Sequence, residues 1–179
     1  MSINPTDRNL IEAKISPLLG YKAWGVSLGH GSFITLEFGN PVKQVVEYRN
    51  PVKRKHGNLV KRSEYTRGEW HLWIYLCAWR LEQNLEVLVA CEDSRSKIAL
   101  ELQKIEGMNL KSVKFIPPLW DTLFTFDNQL ALRTFSLYSD PSDPEEEGAE
   151  DWMLFMPDGN VLAVGPGSQW CCEKSSKSR

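Results

Sequence analysis

The chain has 179 residues, 42% hydrophobic and 25% charged, with a net charge of −2 and a pI near 6.0. That balance excludes a disordered chain and gives no global electrostatic argument for nucleic acid or an anionic membrane. No apolar run approaches the ~20 residues of a membrane span, and Met1 to Arg8 lack the apolar core of a signal peptide. The expectation is therefore a soluble, cytoplasmic protein.

The first predicted element is a helix capped by Asn4 or Thr6, with Pro5 in its first turn. Ile11, Ile15 and Leu18 form one apolar stripe at i, i+4, i+7, and Gly20 closes the segment. Strands are predicted over 22–28 and 32–38, joined by a tight hairpin at Gly29-His30-Gly31. A third strand, near 42–48, follows Gly39-Asn40-Pro41, and Arg49 to Gly68 reads as a charged loop without apolar periodicity. Glu69 to Leu81 then holds three of the seven tryptophans and neither glycine nor proline. At period two both of its faces are apolar, which predicts one central strand covered on each side. Asn84 turns the chain into a further strand over 85–90.

Asp93 or Ser94 caps a second helix, in which Ile98, Leu102 and Ile105 repeat the stripe and Gly107 lies just past the end. Strands are predicted at 110–116, 120–126 and 129–136, followed by an acidic loop over 139–151. Trp152 to Met156 reads as a short strand, Pro157-Asp158-Gly159-Asn160 as a turn, and Val161 to Val164 as the last strand. Gly165 to Ser168 reads as a turn and 171–179 as a flexible tail.

A shift of 87 residues carries Ile11, Ile15, Leu18 and Gly20 onto Ile98, Leu102, Ile105 and Gly107. It also carries Phe33, Thr35 and Leu36 onto Trp120, Thr122 and Leu123. A shift of 82 carries Trp70 and Leu72 onto Trp152 and Leu154. These registers predict an α+β fold of two helices and about ten mostly antiparallel strands, built from a duplicated helix-plus-five-strand unit with approximate two-fold symmetry. The first repeat would be 1–92 and the second 93–170, together one compact domain, with Trp70 and Trp152 in equivalent places.

The loops before the two tryptophan strands then read as counterparts of opposite charge. Residues 43–67 carry eight bases against two acids, whereas 140–151 carry seven acids and no base. The acidic candidates are Asp140, Asp143, Glu145, Glu146, Glu147, Glu150 and Asp151; the basic ones are Lys53, Arg54, Lys55, His56, Lys61 and Arg62. Either set could meet a protein partner of opposite charge, or the two could join copies of the chain as a homodimer. Tyr48 and Tyr65 could stack bases beside the basic cluster, although the acidic loop and low pI disfavour nucleic acid.

No catalytic or metal-binding pattern stands out. His30, His56 and His71 lack a second ligand at metal spacing, no cysteine pair has C-x-x-C spacing, and no G-x-S-x-G elbow is present. Cys77 and Cys91 read as small apolar residues in strands, and Cys171 and Cys172 as reduced thiols with a metal or redox role as the alternative. Neither cofactor nor metal is expected. The one candidate pocket is the His71, Trp73, Tyr75 face of the tryptophan strand, as an enzyme or small-ligand site.

Trp152-Met153-Leu154-Phe155 followed by Pro157-Asp158-Gly159-Asn160-Val161-Leu162 resembles small bacterial domains of unassigned function, some associated with toxin-immunity neighbourhoods. That resemblance implies a binding protein without an assigned catalytic set and transfers no functional residue. The leading expectation is a non-enzymatic, immunity-like interaction module.

Overall fold

In the computed structural model, which describes residues 4–53, 59–139 and 150–175, the first helix α1 spans Pro5–Ile15. The Asn4 side chain accepts from the Thr6 N–H at 3.0 Å, satisfying one of the donors that a helix start leaves open. α2 spans Arg95–Leu102, and Ser94 caps it by accepting from the Lys97 N–H. Ile11, Ile15, Ile98 and Leu102 are buried, so each stripe faces the core as its spacing predicts. No helix among the described residues is long and apolar enough to cross a membrane.

Eleven strands follow: β1 Ala23–Leu28, β2 Ile34–Lys53, β3 Leu59–Ile74, β4 Cys77–Gln83, β5 Glu86–Ala90, β6 Leu110–Ile116, β7 Asp121–Phe126, β8 Leu130–Ser136, β9 Trp152–Phe155, β10 Asn160–Gly165 and β11 Gln169–Lys174. They form two antiparallel sheets, ordered β1-β2-β3-β9-β10-β11 and β5-β4-β8-β7-β6. The inner faces of both sheets and both helices share one apolar cluster. Phe115 and Phe124 of one sheet reach Trp152 of the other at ring distances of 6.4 and 5.5 Å. The α+β class and the number of elements follow the sequence expectation.

Each half contributes three strands to one sheet and its next two strands to the other. With the halves exchanged, β1-β2-β3-β9-β10 maps onto β6-β7-β8-β4-β5. The seam is a backbone bridge between Lys22 and Asn109. Gly20 N–H donates to Leu110 O and Gly107 N–H to Ala23 O, both at 2.8 Å; Ala23 N–H donates to Met108 O and Leu110 N–H to Tyr21 O, both at 2.9 Å. Gly20 and Gly107 hold φ of +89° and +78°, a left-handed turn natural to glycine.

The register corrects the equivalences expected from sequence. Leu28 pairs with Ile34 and Phe115 with Thr122, so the second hairpin has one more residue and Leu36 corresponds to Phe124, not Leu123. Trp152 lies opposite Ile74, and Trp79 lies opposite Thr134. Trp79, not Trp70, therefore takes the place of Trp152. The charged segments are not counterparts either: one joins β2 to β3, the other β8 to β9.

Three further expectations change. The tryptophan stretch is not one strand. It switches sheets at Tyr75 and Leu76, so Trp70, Leu72 and Ile74 point inward before the break and Cys77, Trp79 and Leu81 after it. Tyr75 N–H and Leu76 N–H donate to Asp151 O and Glu150 O, keeping the switch hydrogen-bonded. The charged loop is a ribbon, because the strand predicted at 42–48 is continuous with the one before it and pairs along β3 from Pro41–Gly68 to Glu47–Arg62. A two-stranded ribbon beyond the core needs no buried stripe; β-branched residues and cross-strand pairs suffice. The tail also begins later than expected, since β11 pairs with β10 through Lys174 and Trp170 and Cys172 pack against the core.

Candidate functional site

On the outer face of the six-stranded sheet, Glu37 of β2, His71 of β3 and Phe155 of β9 are neighbours across the ladder. The next row places Thr35, Trp73 and Met153 side by side. Alternation puts these residues opposite the core. Glu37 and His71 are nevertheless buried, because β2 and β3 bend just beyond them. The register slips between Phe38 and Pro41, Gly39 takes φ of +75°, and Asn40 N–H donates to the Glu69 carboxylate at 2.9 Å. Gly68 completes the bend: a Cβ there would collide with the Phe38 backbone.

The Glu37 carboxylate is held at both oxygens. Oε1 is 2.8 Å from His71 Nδ1, and Oε2 accepts from the Gly68 N–H at 2.8 Å. A carboxylate oxygen accepts, so the His71 Nδ1–H donates to Glu37 Oε1. His71 packs 5.4 Å from the Phe155 ring. Beside this pair Phe33, Trp73 and Tyr75 form an aromatic wall, with Trp73–Tyr75 at 4.6 Å and Phe33–Tyr75 at 4.7 Å.

Two cavities of about 560 Å³ each open on this face. One lies toward the β1–β2 turn, with His30, Phe33, Trp73 and Tyr75 in its wall. The other lies toward the β9–β10 turn, with Gln44, Phe155, Met156 and Asn160. Arg67 and His71 belong to both, so the cavities meet there as two ends of one groove. Arg67 Cζ lies 5.2 Å from the Tyr65 ring centroid and 5.7 Å from that of Phe155, within cation–π range.

The structure therefore brings His71, Trp73 and Tyr75 to one cavity, as their alternation suggests. Glu37, Phe33 and Arg67 are the site residues that sequence reading misses. Glu37 has a visible signal, a lone acid between Leu36 and Phe38 in a strand, but its partner His71 lies 34 residues away. Tyr65, a possible base-stacking residue by sequence, instead stacks on Arg67.

Arg54, Lys55, His56, Asp140, Asp143, Glu145, Glu146 and Glu147 lie outside the described residues, as does the side chain of Lys53. Lys61 and Arg62 are exposed on the ribbon, Arg62 paired with Glu64 at 3.0 Å. Glu150 is half-buried beside the sheet switch. Asp151 corrects the acidic-face expectation. It is only 1% exposed, because its N–H donates to Val164 O and its carbonyl accepts from Tyr75 N–H and the Cys77 thiol. Burial pushes its carboxyl up to about 7, against a hydrogen bond from Ser136 and with help from nearby Asp121. Burial, then Asp151 and Cys91, likewise raises the Cys77 thiol well above its ordinary value.

Cys171 and Cys172 sit consecutively on β11, the first exposed and the second packed against the core. Successive strand residues point to opposite faces, so this pair cannot close on one ion as expected in the metal alternative. Comparison with known proteins adds no relative: no family model, curated protein or solved structure matches the chain.

Proposed function

We propose that this is a non-catalytic binding protein whose ligand lies in the outer groove at Arg67 and His71. The observation that carries this reading is the buried Glu37–His71 pair beneath an aromatic-walled cavity. Burying ionisable groups costs desolvation free energy, and the fold does not require it: the corresponding pair on the second sheet is Thr125 and Ala131. A polar pair set under an open apolar wall is the arrangement of a ligand site. A panel of small aromatic fragments, neutral and charged, tests this by protein NMR. Binders should move the Trp73 indole N–H and His71 ring signals; a panel in which none moves them overturns the reading.

A second reading keeps an immunity-like partner protein as the ligand. It is favoured by the exposed Lys43, Lys61 and Arg62 on a ribbon that projects beyond the sheet. An acidic partner would bind there with strong salt dependence, and reversing all three charges would abolish capture. Cytoplasmic location belongs to the same proposal, since four free thiols suit a reducing compartment. Duplication of one ancestral unit is our account of the matched halves, supported by the 87-residue correspondence across the seam.

A further inference from the structure

Resting on the groove reading above, we infer that the ligand class is an aryl carboxylate: a flat ring joined by a short chain to a carboxylate. Arg67 supplies the anion subsite. The residue is half-buried, and its guanidinium lies by the rings of Tyr65 and Phe155 and makes no ion pair among the described residues. Aromatic support takes the faces of a guanidinium and leaves its edge N–H donors for a bidentate oxyanion.

The acids nearby do not compete for that role. Glu37 is engaged by His71 and the Gly68 N–H, and Glu69 by the N–H and side-chain amide of Asn40. One guanidinium, with no lysine among the described residues of either cavity wall, matches a carboxylate better than a phosphate dianion. The ring subsite is the wall of Phe33, Trp73 and Tyr75, whose edge-on and tilted packing at 4.6–6.4 Å continues naturally to one more ring. A cavity of about 560 Å³ that holds both subsites has the size of small-molecule pockets.

The ω-phenylalkanoates from phenylacetate to 6-phenylhexanoate, each with its primary amide, test the inference on the intact protein by NMR titration at the Trp73 indole N–H. The best acid should bind about tenfold tighter than its amide, as a charge-assisted hydrogen bond predicts. Arg67→Gln should remove that preference, bringing acid and amide affinities together. Amides that bind as well as acids, or a preference that survives Arg67→Gln, overturn the carboxylate assignment while the groove reading stands. If neither acids nor amides shift Trp73, both fail. The acid–amide comparison on the unmodified protein needs no variant to fold.

Discussion

The outer faces of the two sheets occupy corresponding places and are finished differently. On the six-stranded sheet the central rows are Glu37–His71–Phe155 and Thr35–Trp73–Met153. On the five-stranded sheet they are Thr125–Ala131–Glu82 and Leu123–Arg133–Arg80. There Glu82 accepts from Arg133 Nε at 2.9 Å and from Arg80, whose guanidinium lies 5.0 Å from the Phe135 ring. That face pairs both arginines with one glutamate and has no long ribbon, since β7 and β8 are joined by only Asp127–Gln129. The first face has the ribbon, the bend and an arginine with no ion pair among the described residues. Shared architecture accounts for the core, and the departure from symmetry locates the groove.

The correspondence is broken most directly at its two buried tryptophans. Trp152 Nε1 donates to Thr122 Oγ1 at 3.0 Å and Trp79 Nε1 to Ser32 O at 2.7 Å. Trp79→Ala and Trp152→Ala should each cost about 3–5 kcal/mol in urea unfolding. A loss under about 1 kcal/mol for either would refute the equivalence.

A smaller effect separates two acids, one buried and one partly buried. Asp151 titrates near 7 in the fold against an ordinary value of 3.8. Between those values the folded state holds a proton that the unfolded chain has released, so this group's contribution falls as pH rises through that window and is flat above it. Asp151→Asn should therefore stabilise the protein at pH 8, relative to its effect at pH 5, by on the order of a few kcal/mol. Equal shifts in melting temperature at both pH values would exclude the buried-carboxyl account. Glu82 has the opposite sign. Burial alone would raise it, but hydrogen bonds from Arg133 and Arg80 outweigh that and leave it lowered. Its contribution is present above the unfolded carboxylate value and lost as pH falls through the folded one.

The smallest contrast compares two arginines. Arg133→Ala leaves the partly buried Glu82 with Arg80 alone and should cost about 1–3 kcal/mol near neutral pH, fading on acidification. Arg67→Ala breaks no ion pair among the described residues and loses only its ring contacts, so it should cost no more than about 1 kcal/mol. Thermal melts of the two variants measure the difference; equal costs would mean that the two faces are finished alike.

The helices and the β1–β2 hairpin were legible because caps, glycines and apolar stripes are local signals. The shift carrying Gly20 onto Gly107 was legible too, but no local signal showed that these two segments pair with each other. The ribbon was not legible, because periodicity records burial and the side chains described on its two strands are exposed or half-buried. The sheet switch was hidden because Tyr75 and Leu76 keep strand-like composition while the inward phase slips by one residue. His71, Trp73 and Tyr75 showed as one strand face, but Glu37, Phe33 and Arg67 join them only through the register and bend of the hairpin. Asp151 looked like the end of an acidic run, and only the crossing of chains at Tyr75 buries it.

The exchange of strands between halves bears on how the protein is made. While the first half leaves the ribosome, β3 and β4 are complete but the neighbours that will cover their edges, β9 and β8, have not been synthesised. Uncovered edges recruit other strands. Cutting the chain near Glu92 should accordingly leave two fragments that are poorly behaved alone and recover native structure only when mixed, each acting as the folding template of the other.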